Sequence, residues 1–598
     1  MGRSRSGSRA GKSPRRSRSR SERKKSRSPS RKGSRKDSRS PSRDARKSKP
    51  DDYGVDTMKI TDDDAAFVLG KGGKTKEKIA RVSEAEIELF ERDLILEIRG
   101  SKLQRRKAKK YAEGVMAQRT GPVSITSDYD DGDLTMLQIP QEAVGFVTGR
   151  AGNFLRSIEE QWRTLMFFCE VGGSRNKDYE KLAIFGDIRG RRGAELLVLS
   201  AVETKVPGYL DKIKDDVMNR DRGKDETGTW GTDTLTFQDD ELSYALGKQG
   251  TTRKKLERSS GAVVQYIGHQ AFFSGTKEVR RKAKEYMKWL FDQLEGPVHV
   301  DTDNRDDCTL VDIPSDCVGY ITGARRATLG FMEEEWGVLM FFMNKSVGEG
   351  EKGRGKGGSE KLIICGPTRA RRGAELKVMS GVEAKTPGFF TKGVRDKTSS
   401  EKGFDTDRLT FKDDELSYSL GKQGTTRKKL EGAAGAILEY VGHVAFIAGI
   451  YKERKRCREF LTWLLAQRRG SVTIANISSR EDATEMHIPD NCKGWVTGNR
   501  GSELRRMEAE TGTFMFMALD ERGDERLVIF CHNAGSKVSD KGRMAAERLV
   551  NDMIQEKLRD DGGRRGKDSR SPSRRRSRSR SRRRSPSRRK DSRSRSRR

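Results

Sequence analysis

Long apolar runs are absent from this 598-residue sequence, and none approaches the roughly 20 residues needed to cross a bilayer. The first ten residues, MGRSRSGSRA, do not resemble a secretory signal either. From these two absences we expect a soluble, intracellular protein. Hydrophobic residues make up 32% of the chain and charged residues 36%, so we expect several small cores and not one large one.

Metal-ligand spacings are also missing. The cysteines include no C-x-x-C pair, and no histidine lies three to five residues from another. We therefore predict no metal site and no cofactor, and we expect buried or half-buried thiols in a reducing compartment. The seven cysteines are Cys169, Cys308, Cys317, Cys365, Cys457, Cys492 and Cys531.

The net charge of +35 lies in the two ends of the chain. Residues 1–50 contribute +18 and residues 564–598 contribute +17, which leaves residues 51–563 near zero. The ends therefore provide long-range attraction to polyanions, whereas the central part must bind through local geometry.

Both ends are arginine and serine runs without apolar periodicity, so we expect residues 1–50 and 564–598 to be disordered tails. They resemble the RS regions of SR-type splicing proteins. That resemblance implies phosphorylation by SR-type kinases and contacts with other RS-domain proteins, while simple solvated basic tails are the plainer alternative. The tails contain 15 and 11 serines, and at about −1.5 to −2 per phosphate their phosphorylation would cancel the positive charge.

A 17-residue stretch, ELSYALGKQGTTRKKLE, begins at Glu241 and recurs at Glu415 with a single change from Ala245 to Ser419. Its centre is a glycine-bounded loop that opens a basic helical segment. Glycines allow close approach of the backbone, and the unpaired N–H groups and dipole of a helix N-terminus favour an anion. The stretch therefore predicts a phosphate-binding loop.

Residues from 57 onward alternate short strand and helix patterns. We predict a strand at 57–60, a helix at 63–70, a second helix at 74–85, two strands, and a long amphipathic helix at 101–119. This β-α-α-β-β-α order, with a G-x-x-G loop between the first two helices, resembles the type I KH (K-homology) domain. The resemblance implies an α+β fold with a three-stranded antiparallel sheet and three helices.

The glycine loops recur at a nearly constant interval. One set begins at Gly70, Gly247 and Gly421, with spacings of 177 and 174 residues, and a second set begins at residues 149, 323 and 498. The sequence thus predicts six tandem KH domains in three two-domain repeats. The predicted domains are 56–119, 133–203, 232–295, 308–385, 406–468 and 484–559.

In the KH family the loop grips the backbone of about four nucleotides beside an apolar groove. Five loops here fit the pattern and are the predicted RNA-binding residues. They are Gly70, Lys71, Gly72 and Gly73; Gly149, Arg150, Ala151 and Gly152; Gly247, Lys248, Gln249 and Gly250; Gly421, Lys422, Gln423 and Gly424; and Gly498, Asn499, Arg500 and Gly501.

The fourth loop, Gly323-Ala324-Arg325-Arg326, has lost its last glycine. Because a side chain at that position obstructs backbone approach and strains a positive φ, we expect the fourth domain to act mainly in packing or spacing, with its arginines still open to phosphate contact.

Six residues after the first glycine, the family usually has an aliphatic residue. The even domains keep leucine there, at Leu155, Leu329 and Leu504, whereas the odd domains have a cation. We therefore expect one charged groove wall in each odd domain, formed by Lys76, Arg253 or Arg427.

The remaining motifs have structural explanations. Trp162, Trp336 and the two LMFF runs at 165–168 and 339–342 are interpreted as core residues. Two histidines, His269 and His443, are placed in hairpin turns without acidic or cysteine neighbours. The G-x-G-x-x-G match within residues 348–358 is interpreted as a flexible insertion.

No active site is predicted. Gly73, Lys74 and Thr75 resemble the end of a P-loop, but the first glycine of that motif would fall on Val68. No nucleophile and base recur together in the three repeats, so we expect a binding protein and not an enzyme.

The resemblance implies single-stranded RNA binding in nuclear pre-mRNA splicing or mRNA processing and regulation, with shuttling to the cytoplasm left open. The expected partners are mRNA or pre-mRNA, RS-domain proteins and SR-type kinases, without a membrane. Two alternatives remain: a single-stranded DNA or chromatin-associated regulator, and a KH-fold protein scaffold that recruits RS-domain partners.

Overall fold

The computed structural model describes residues 52–121, 123–125, 132–170, 178–296, 298–302, 305–343, 358–535 and 540–565. The predictions for the Arg-Ser tails and for the 348–358 insertion lie outside these residues, except at the edges of the ranges. In the described ranges, no helix has the length and apolar character required to cross a membrane.

Within the described residues, one order of elements, β-α-α-β-β-α, occurs six times. We call these occurrences modules 1 to 6. They comprise residues 54–120, 134–205, 231–295, 308–385, 405–466 and 483–565.

The odd modules have closely matched elements. Module 1 contains β1 (Gly54–Lys59), α1 (Asp62–Leu69), α2 (Lys74–Ser83), β2 (Glu86–Phe90), β3 (Ile95–Gly100) and α3 (Lys102–Thr120). After it, β4 (Val123–Ser124) belongs to the sheet of module 2. The predicted helix at 101–119 thus corresponds to α3, whose first turn is closed by a reciprocal capping box between Ser101 and Gln104.

Module 2 contains a sheet and three helices in the same order. Its elements are β5 (Leu134–Pro140), α4 (Gln141–Thr148), α5 (Asn153–Trp162), β6 (Leu165–Glu170), β7 (Tyr179–Phe185) and α6 (Ile188–Lys205). A linker helix, α7 (Tyr209–Asn219), follows and packs near the next module. The sequence reasoning did not predict α7.

Modules 3 and 4 repeat the arrangement. Module 3 contains β8 (Gly231–Thr236), α8 (Asp239–Leu246), α9 (Thr251–Ser260), β9 (Val263–Ile267), β10 (Gln270–Gly275) and α10 (Lys277–Glu295). Module 4 contains β11 (Cys308–Pro314), α11 (Ser315–Thr322), α12 (Ala327–Trp336), β12 (Leu339–Phe342), β13 (Ser359–Cys365) and α13 (Thr368–Lys385).

Modules 5 and 6 complete the described chain. Module 5 contains β14 (Asp405–Thr410), α14 (Asp413–Leu420), α15 (Thr425–Ala434), β15 (Ile437–Val441), β16 (Val444–Gly449) and α16 (Tyr451–Ala466). Module 6 has β17 (Val472–Thr473) at its edge, then β18 (Ala483–Met486), α17 (Asp490–Thr497), α18 (Ser502–Thr511), β19 (Phe514–Leu519), β20 (Glu525–Phe530) and α19 (Arg543–Arg565). Helix α19 includes the first two residues of the predicted C-terminal tail.

In each module the third main strand lies between the other two and pairs antiparallel with both, as in the order β1-β3-β2. Three strands were predicted throughout, which is wrong for modules 2 and 6. There the linker entering the module adds a fourth strand, β4 beside β6 and β17 beside β19, each in parallel pairing. In module 4 the same place holds one bridge between Val298 and Met343.

The last helix of each odd module packs on the sheet of the next even module. Tyr111 of α3 lies against Phe185 of β7, with ring centroids 5.2 Å apart. In the second repeat Trp289 of α10 packs against Phe341 at 5.9 Å, and in the third repeat Phe460 of α16 packs against Phe530 at 5.3 Å. The two modules of every repeat therefore share one hydrophobic core, which stabilises them as a pair.

The last helix of modules 2 and 4 packs in turn on the sheet of the following odd module. Helix α6 lies against β9, and α13 lies against β15, where Leu376 packs with Ile437 and Val441. Ser380 also donates a hydrogen bond to the carbonyl of Tyr440, at 3.0 Å. The six modules thus form one continuous packed series.

Each repeat contains a lysine–glutamate ion pair between the helices that follow its two loops. The Nζ of Lys78, Lys255 or Lys429 lies 2.9, 2.7 or 3.0 Å from a carboxylate oxygen of the next module. The acceptors are Glu159, Glu333 and Glu508, all buried. The second oxygen of each accepts a strand N–H, so the carboxylate is satisfied on both sides.

Candidate nucleic-acid interface

The first glycine of every loop adopts a backbone conformation available essentially to glycine alone. Gly70 has φ 66° and ψ 177°, and the other five have φ between 66° and 71° and ψ between 171° and 176°. A Cβ on Gly70 would also lie 2.2 Å from the Oγ1 of Thr75. This glycine is therefore required by the turn itself, whatever the loop binds.

The last two loop residues adopt the left-handed region. The third residue does so even without glycine, at Ala151, Gln249, Arg325, Gln423 and Arg500, with φ from 51° to 55°. In the five predicted loops the fourth residue is glycine, with φ from 74° to 79°. Each loop thus turns the chain into the N-terminus of the second helix in the same way.

The surface presented by these loops suits a phosphate. The second loop residue is exposed in all six modules, and it is basic at Lys71, Arg150, Lys248 and Lys422. None of the six helices that follow has a side-chain cap on its first turn, so N–H groups there point outward. A helix dipole, free amides and a nearby cation together favour an anion.

The fourth loop keeps this geometry without its second glycine. Arg326 has φ 61° and ψ 22°, so it adopts the strained left-handed conformation that we expected at this position. Its guanidinium donates to the Oε1 of Gln293 in module 3 and to the carbonyl of Met340, at 2.7 Å for the latter. Arg326 therefore helps to join modules 3 and 4, while Arg325 remains exposed.

The expected charged groove wall is wrong for two odd modules. Arg253 and Arg427 are buried, each 7% exposed. Arg427 donates to the carbonyl of Leu438 at 2.6 Å and pairs with Glu431 at 2.9 Å, and Arg253 makes the same contacts with Val264 and Glu257. Their charge is neutralised inside the module, whereas Lys76 is half-buried.

Burial affects the carboxylates of these pairs. It raises the pKa of Glu257 and of Glu431, and the neighbouring arginines oppose that shift. Each arginine lies on the second helix of its module and also donates to a carbonyl of the following strand, so it joins that helix to that strand.

The two histidines do lie in hairpin turns, as predicted. One part of that interpretation is wrong, because the Nδ1 of His443 lies 3.1 Å from the Oδ1 of Asp413 in α14. Both side chains are exposed, so the pair is a surface contact.

The prediction of buried or half-buried thiols is confirmed. All seven cysteines are free, and six are buried while Cys308 is partly exposed. Cys308 and Cys365 lie opposite each other on the neighbouring strands β11 and β13, with their Sγ atoms 3.4 Å apart, and no sequence pattern indicates this pairing. Among the described residues, no group of three or more histidine, cysteine, aspartate or glutamate side chains could hold a metal ion.

The tryptophans and LMFF runs do pack in the core. Phe167 and Phe341 are buried. The Trp162 ring lies so close to Gly193 that a Cβ there would meet it at 2.2 Å, and Trp336 covers Gly373 in the same way. These rings are therefore occupied by packing.

A different aromatic position was missed. The residue three places before the first loop glycine is aromatic in all six modules. These residues are Phe67, Phe146, Tyr244, Tyr320, Tyr418 and Trp495. The sequence does contain the signal as a recurring offset, but the aromatic residue lies outside the G-x-x-G loop that defines the motif.

In module 2 this aromatic residue lines an open concavity of about 380 Å³ beside the loop. The lining residues are Gly145, Phe146, Gly149, Arg150 and Phe154. An apolar floor and a cationic rim therefore meet at one surface, as a base and its phosphate require.

Residues 55–114 match the family model of the KH domain, so module 1 is a KH domain. The match covers module 1 up to the last turns of α3 and includes the loop from Gly70 to Gly73.

Three solved structures are similar over parts of the chain. A complex of a/eIF2alpha, aDim2p and rRNA from Pyrococcus horikoshii is 17% identical, covers 26% of this chain and 84% of that chain, and has a TM-score of 0.16. Dim2p from the same organism is 17% identical over 27% of this chain and 99% of that chain, with a TM-score of 0.15. A structure described as KH domains is 10% identical over 57% and 89%, with a TM-score of 0.11. Scores this low do not establish the arrangement of the whole chain.

Proposed function

We propose that this chain binds single-stranded RNA through six KH domains arranged as three two-domain repeats. One of them is the KH domain at residues 55–114. The observation that carries the proposal is the loop between the first two helices, which has the same backbone geometry and the same uncapped helix start in all six modules. KH domains clamp an RNA backbone with this loop.

The mechanism relies on local geometry. The amides at the start of the second helix and the basic residue of the loop hold a phosphate, while the adjacent surface receives the bases. Because the modules pack against one another, their loops are held at defined separations. Linked sites bind one strand intramolecularly, which can raise affinity by about 10²–10⁴ when the geometry allows it.

The cellular setting is proposed from the sequence alone. The Arg-Ser tails support a nuclear protein of pre-mRNA splicing or mRNA processing, with phosphorylation by SR-type kinases as a charge switch and RS-domain proteins as partners. In this proposal the protein is a non-enzymatic reader of RNA.

The decisive experiment introduces aspartate at both middle positions of the third and fifth loops in the full-length chain. Lys248, Gln249, Lys422 and Gln423 are exposed, so the fold should persist while the new carboxylates repel phosphate. We expect at least a tenfold loss of affinity for unstructured RNA, measured by fluorescence anisotropy at near-physiological salt, with an unchanged circular dichroism spectrum. Retention of affinity within about threefold would contradict the proposal.

A matched control places aspartate at Ala324 and Arg325 of the fourth loop, which is expected to have the smaller effect. Both variants keep the Arg-Ser tails, so non-specific attraction is the same in each. An equal-length DNA oligomer tests for a single-stranded DNA partner, because only RNA offers the 2′-OH. The salt dependence adds a second readout, since each phosphate contact contributes a log–log slope of about −0.7.

A further inference from the structure

The aromatic residue three places before each loop glycine is not explained by composition. Aromatic residues make up 7% of the sequence, yet they occupy this position in all six modules. The position lies in the last turn of the first helix, next to the loop. Its recurrence indicates a common role.

Packing does not provide that role. Five of the six rings are exposed, among them Phe146 at 50%, Tyr320 at 54% and Trp495 at 45%. The next residue in each helix is the one that enters the core. These core residues are Val68, Val147, Ala245, Ile321, Ser419 and Val496, all buried. The helix is thus anchored by one residue while its aromatic neighbour faces outward.

The residue before the aromatic ring provides an independent observation. In the even modules it is a glycine inside a helix, at Gly145, Gly319 and Gly494. A Cβ at any of these positions would meet nothing within 4 Å, and the backbone there is not left-handed. Glycine weakens a helix relative to alanine, so neither packing nor conformation accounts for it.

The remaining explanation for glycine at these positions is that a ligand approaches the helix backbone closely. Such a ligand would lie across the glycine and against the face of the neighbouring ring. In module 2, Gly145 and Phe146 line the same open concavity as Arg150 of the loop. The site therefore combines an apolar ring, an open backbone and a cation.

Cations also accompany the rings in other modules. The Nζ of Lys385 is 5.9 Å from the ring centroid of Tyr320, and the Nζ of Lys557 is 6.0 Å from that of Trp495. A planar ring beside a positive charge is complementary to a base attached to a phosphodiester. A plain apolar partner would gain nothing from the cations.

We propose that Phe146, Tyr320 and Trp495, each with its preceding glycine, form stacking platforms for unpaired nucleobases. The proposal rests on the proposed function and deepens it, because the platform lies beside the loop that holds the phosphate. It also assigns a ligand contact to module 4. That module has lost the last glycine of its loop but keeps both Gly319 and Tyr320.

Tryptophan fluorescence provides a direct test. Trp495 is the exposed one among the six tryptophans, all of which lie in the described residues. Titration of the full-length protein with an unstructured 12-nucleotide RNA should quench its emission, and W495F should lose that part of the quench. An abasic ribose-phosphate oligomer should leave the emission unchanged. Equal quenching in the parent protein and in W495F would overturn the proposal.

Affinity provides a second test. The triple variant F146L/Y320L/W495L keeps apolar side chains but removes the flat rings. Stacking contributes about 1–3 kcal/mol per base, or roughly 5- to 150-fold, so we expect at least a fivefold loss of RNA affinity. F389L, which changes an exposed aromatic residue in the linker after module 4, is the control and should have no effect. Equal affinity of the triple variant and the control would overturn the proposal.

Substitution of the three glycines distinguishes a ligand-binding role from a purely structural one. The variant G145A/G319A/G494A should raise the Tm, because alanine favours a helix and its Cβ has room. It should nevertheless lower RNA affinity by at least threefold. A higher Tm with unchanged affinity would overturn the close-approach argument.

The two proposals fail in distinguishable ways. If the parent protein ignores every unpaired RNA offered, both the proposed function and the platforms are overturned. If the parent protein binds and the loop variants do not, yet the aromatic and glycine variants bind as the parent does, only the platforms are overturned.

Discussion

Modules 1 and 5 have the same fold, but the outer faces of their sheets differ. In β2 of module 1 the outer face carries Glu86 and Glu88, both exposed. The equivalent residues of β15 in module 5 are Ile437 and Glu439, both buried under α13. Glu439 is compensated there by Arg427 at 3.2 Å. The difference arises because module 5 follows another module, whereas no described module precedes module 1.

The far end of the series shows a related difference. Helix α19 of module 6 corresponds to α13 of module 4, because Arg543 and Arg371 make equivalent contacts to the first strand of their modules. Where α13 presents Leu376 and Met379 to module 5, the corresponding residues of α19 are polar. They are Arg548 and Asn551, both exposed. Both ends of the series are therefore hydrophilic, as in the capping units of repeat proteins.

The largest effect on stability is expected when the outer sheet face of module 5 receives the acidic residue found at the equivalent position of module 1. Ile437→Glu places a carboxylate at a site that is 2% exposed and packed on Leu376. An uncompensated buried charge costs roughly 3 kcal/mol or more, so α13 should separate from β15. Hydrogen exchange of the β15 amides and urea denaturation measure the loss.

The reciprocal change, Glu86→Ile, is the matched control. It alters an exposed position and should change stability by no more than about 0.5 kcal/mol. If Ile437→Glu were tolerated as well as Glu86→Ile, burial between modules 4 and 5 would not explain the difference between the two sheets.

Much of this difference could be read in the strand sequences. EIELF alternates polar and apolar residues, as expected for a strand with one exposed face, whereas VVQYI and ILEYV are nearly continuous and indicate burial on both faces. The order of elements in module 1 was also predictable from its periodicity. Packing between modules is not predictable in the same way, because the repeat spacing defines the domains but does not show which of their surfaces meet.

Other structural features leave no recognisable pattern in the sequence. β4 and β17 are two residues long, so no alternation can identify them. The burial of Arg253 was missed because helix periodicity assigns a face to a residue but does not show where a long side chain ends. The left-handed backbone of Arg326 was expected from the lost glycine, whereas the contact of its guanidinium with Gln293 of module 3 was not.

A second, smaller effect concerns acid stability at the interface of modules 3 and 4. Burial of Asp307 acts to raise its pKa, but hydrogen bonds from Arg305 and Tyr286 outweigh it and bring the pKa to about 2. The ionised carboxylate is thus favoured by folding, and its contribution of about 2 kcal/mol is present above pH 4 and lost as the pH falls toward 2. Asp307→Asn should flatten this part of the stability curve.

The third repeat provides the matched variant for that test. Phe460 occupies the place of Tyr286 and has no hydroxyl, so Tyr286→Phe should remove only part of the acid dependence. Thermal unfolding at pH values from 2 to 5 measures both. An unchanged pH profile in Asp307→Asn would show that this carboxylate does not stabilise the interface.

A third test extends the comparison from the sheets to the loops of modules 4 and 5. The φ angle of Arg326 in module 4 is 61°, and that of the equivalent Gly424 in module 5 is 74°. Arg326→Ala and Arg326→Gly both remove the guanidinium contacts, so their difference isolates the backbone. Glycine should be the more stable by about 1 kcal/mol, measured by thermal unfolding, because a left-handed conformation is unfavourable for a residue with a Cβ. Equal stability of the two variants would mean that the loop relaxes when the arginine is removed.

The smallest effect on stability is expected when module 1 is given the outer face of module 3. E86V/E88Q/E97F copies Val263, Gln265 and Phe272, which α6 covers in module 3. The variant loses the ion pairs of Arg99 with Glu88 and Glu97, which are surface contacts, so stability should change by less than about 1 kcal/mol.

The variant should associate with other molecules more readily than the parent does, because no helix within the described residues precedes module 1 and covers the new apolar patch. Sedimentation velocity should show concentration-dependent association beyond that of the parent chain, whereas E88Q alone should sediment as the parent does. If the triple variant sedimented like the parent, the acidic residues of β2 and β3 would not be the reason that module 1 does not associate with other molecules. The charged face would then be a passive consequence of exposure, and only the buried faces of modules 3 and 5 would be under a physical constraint.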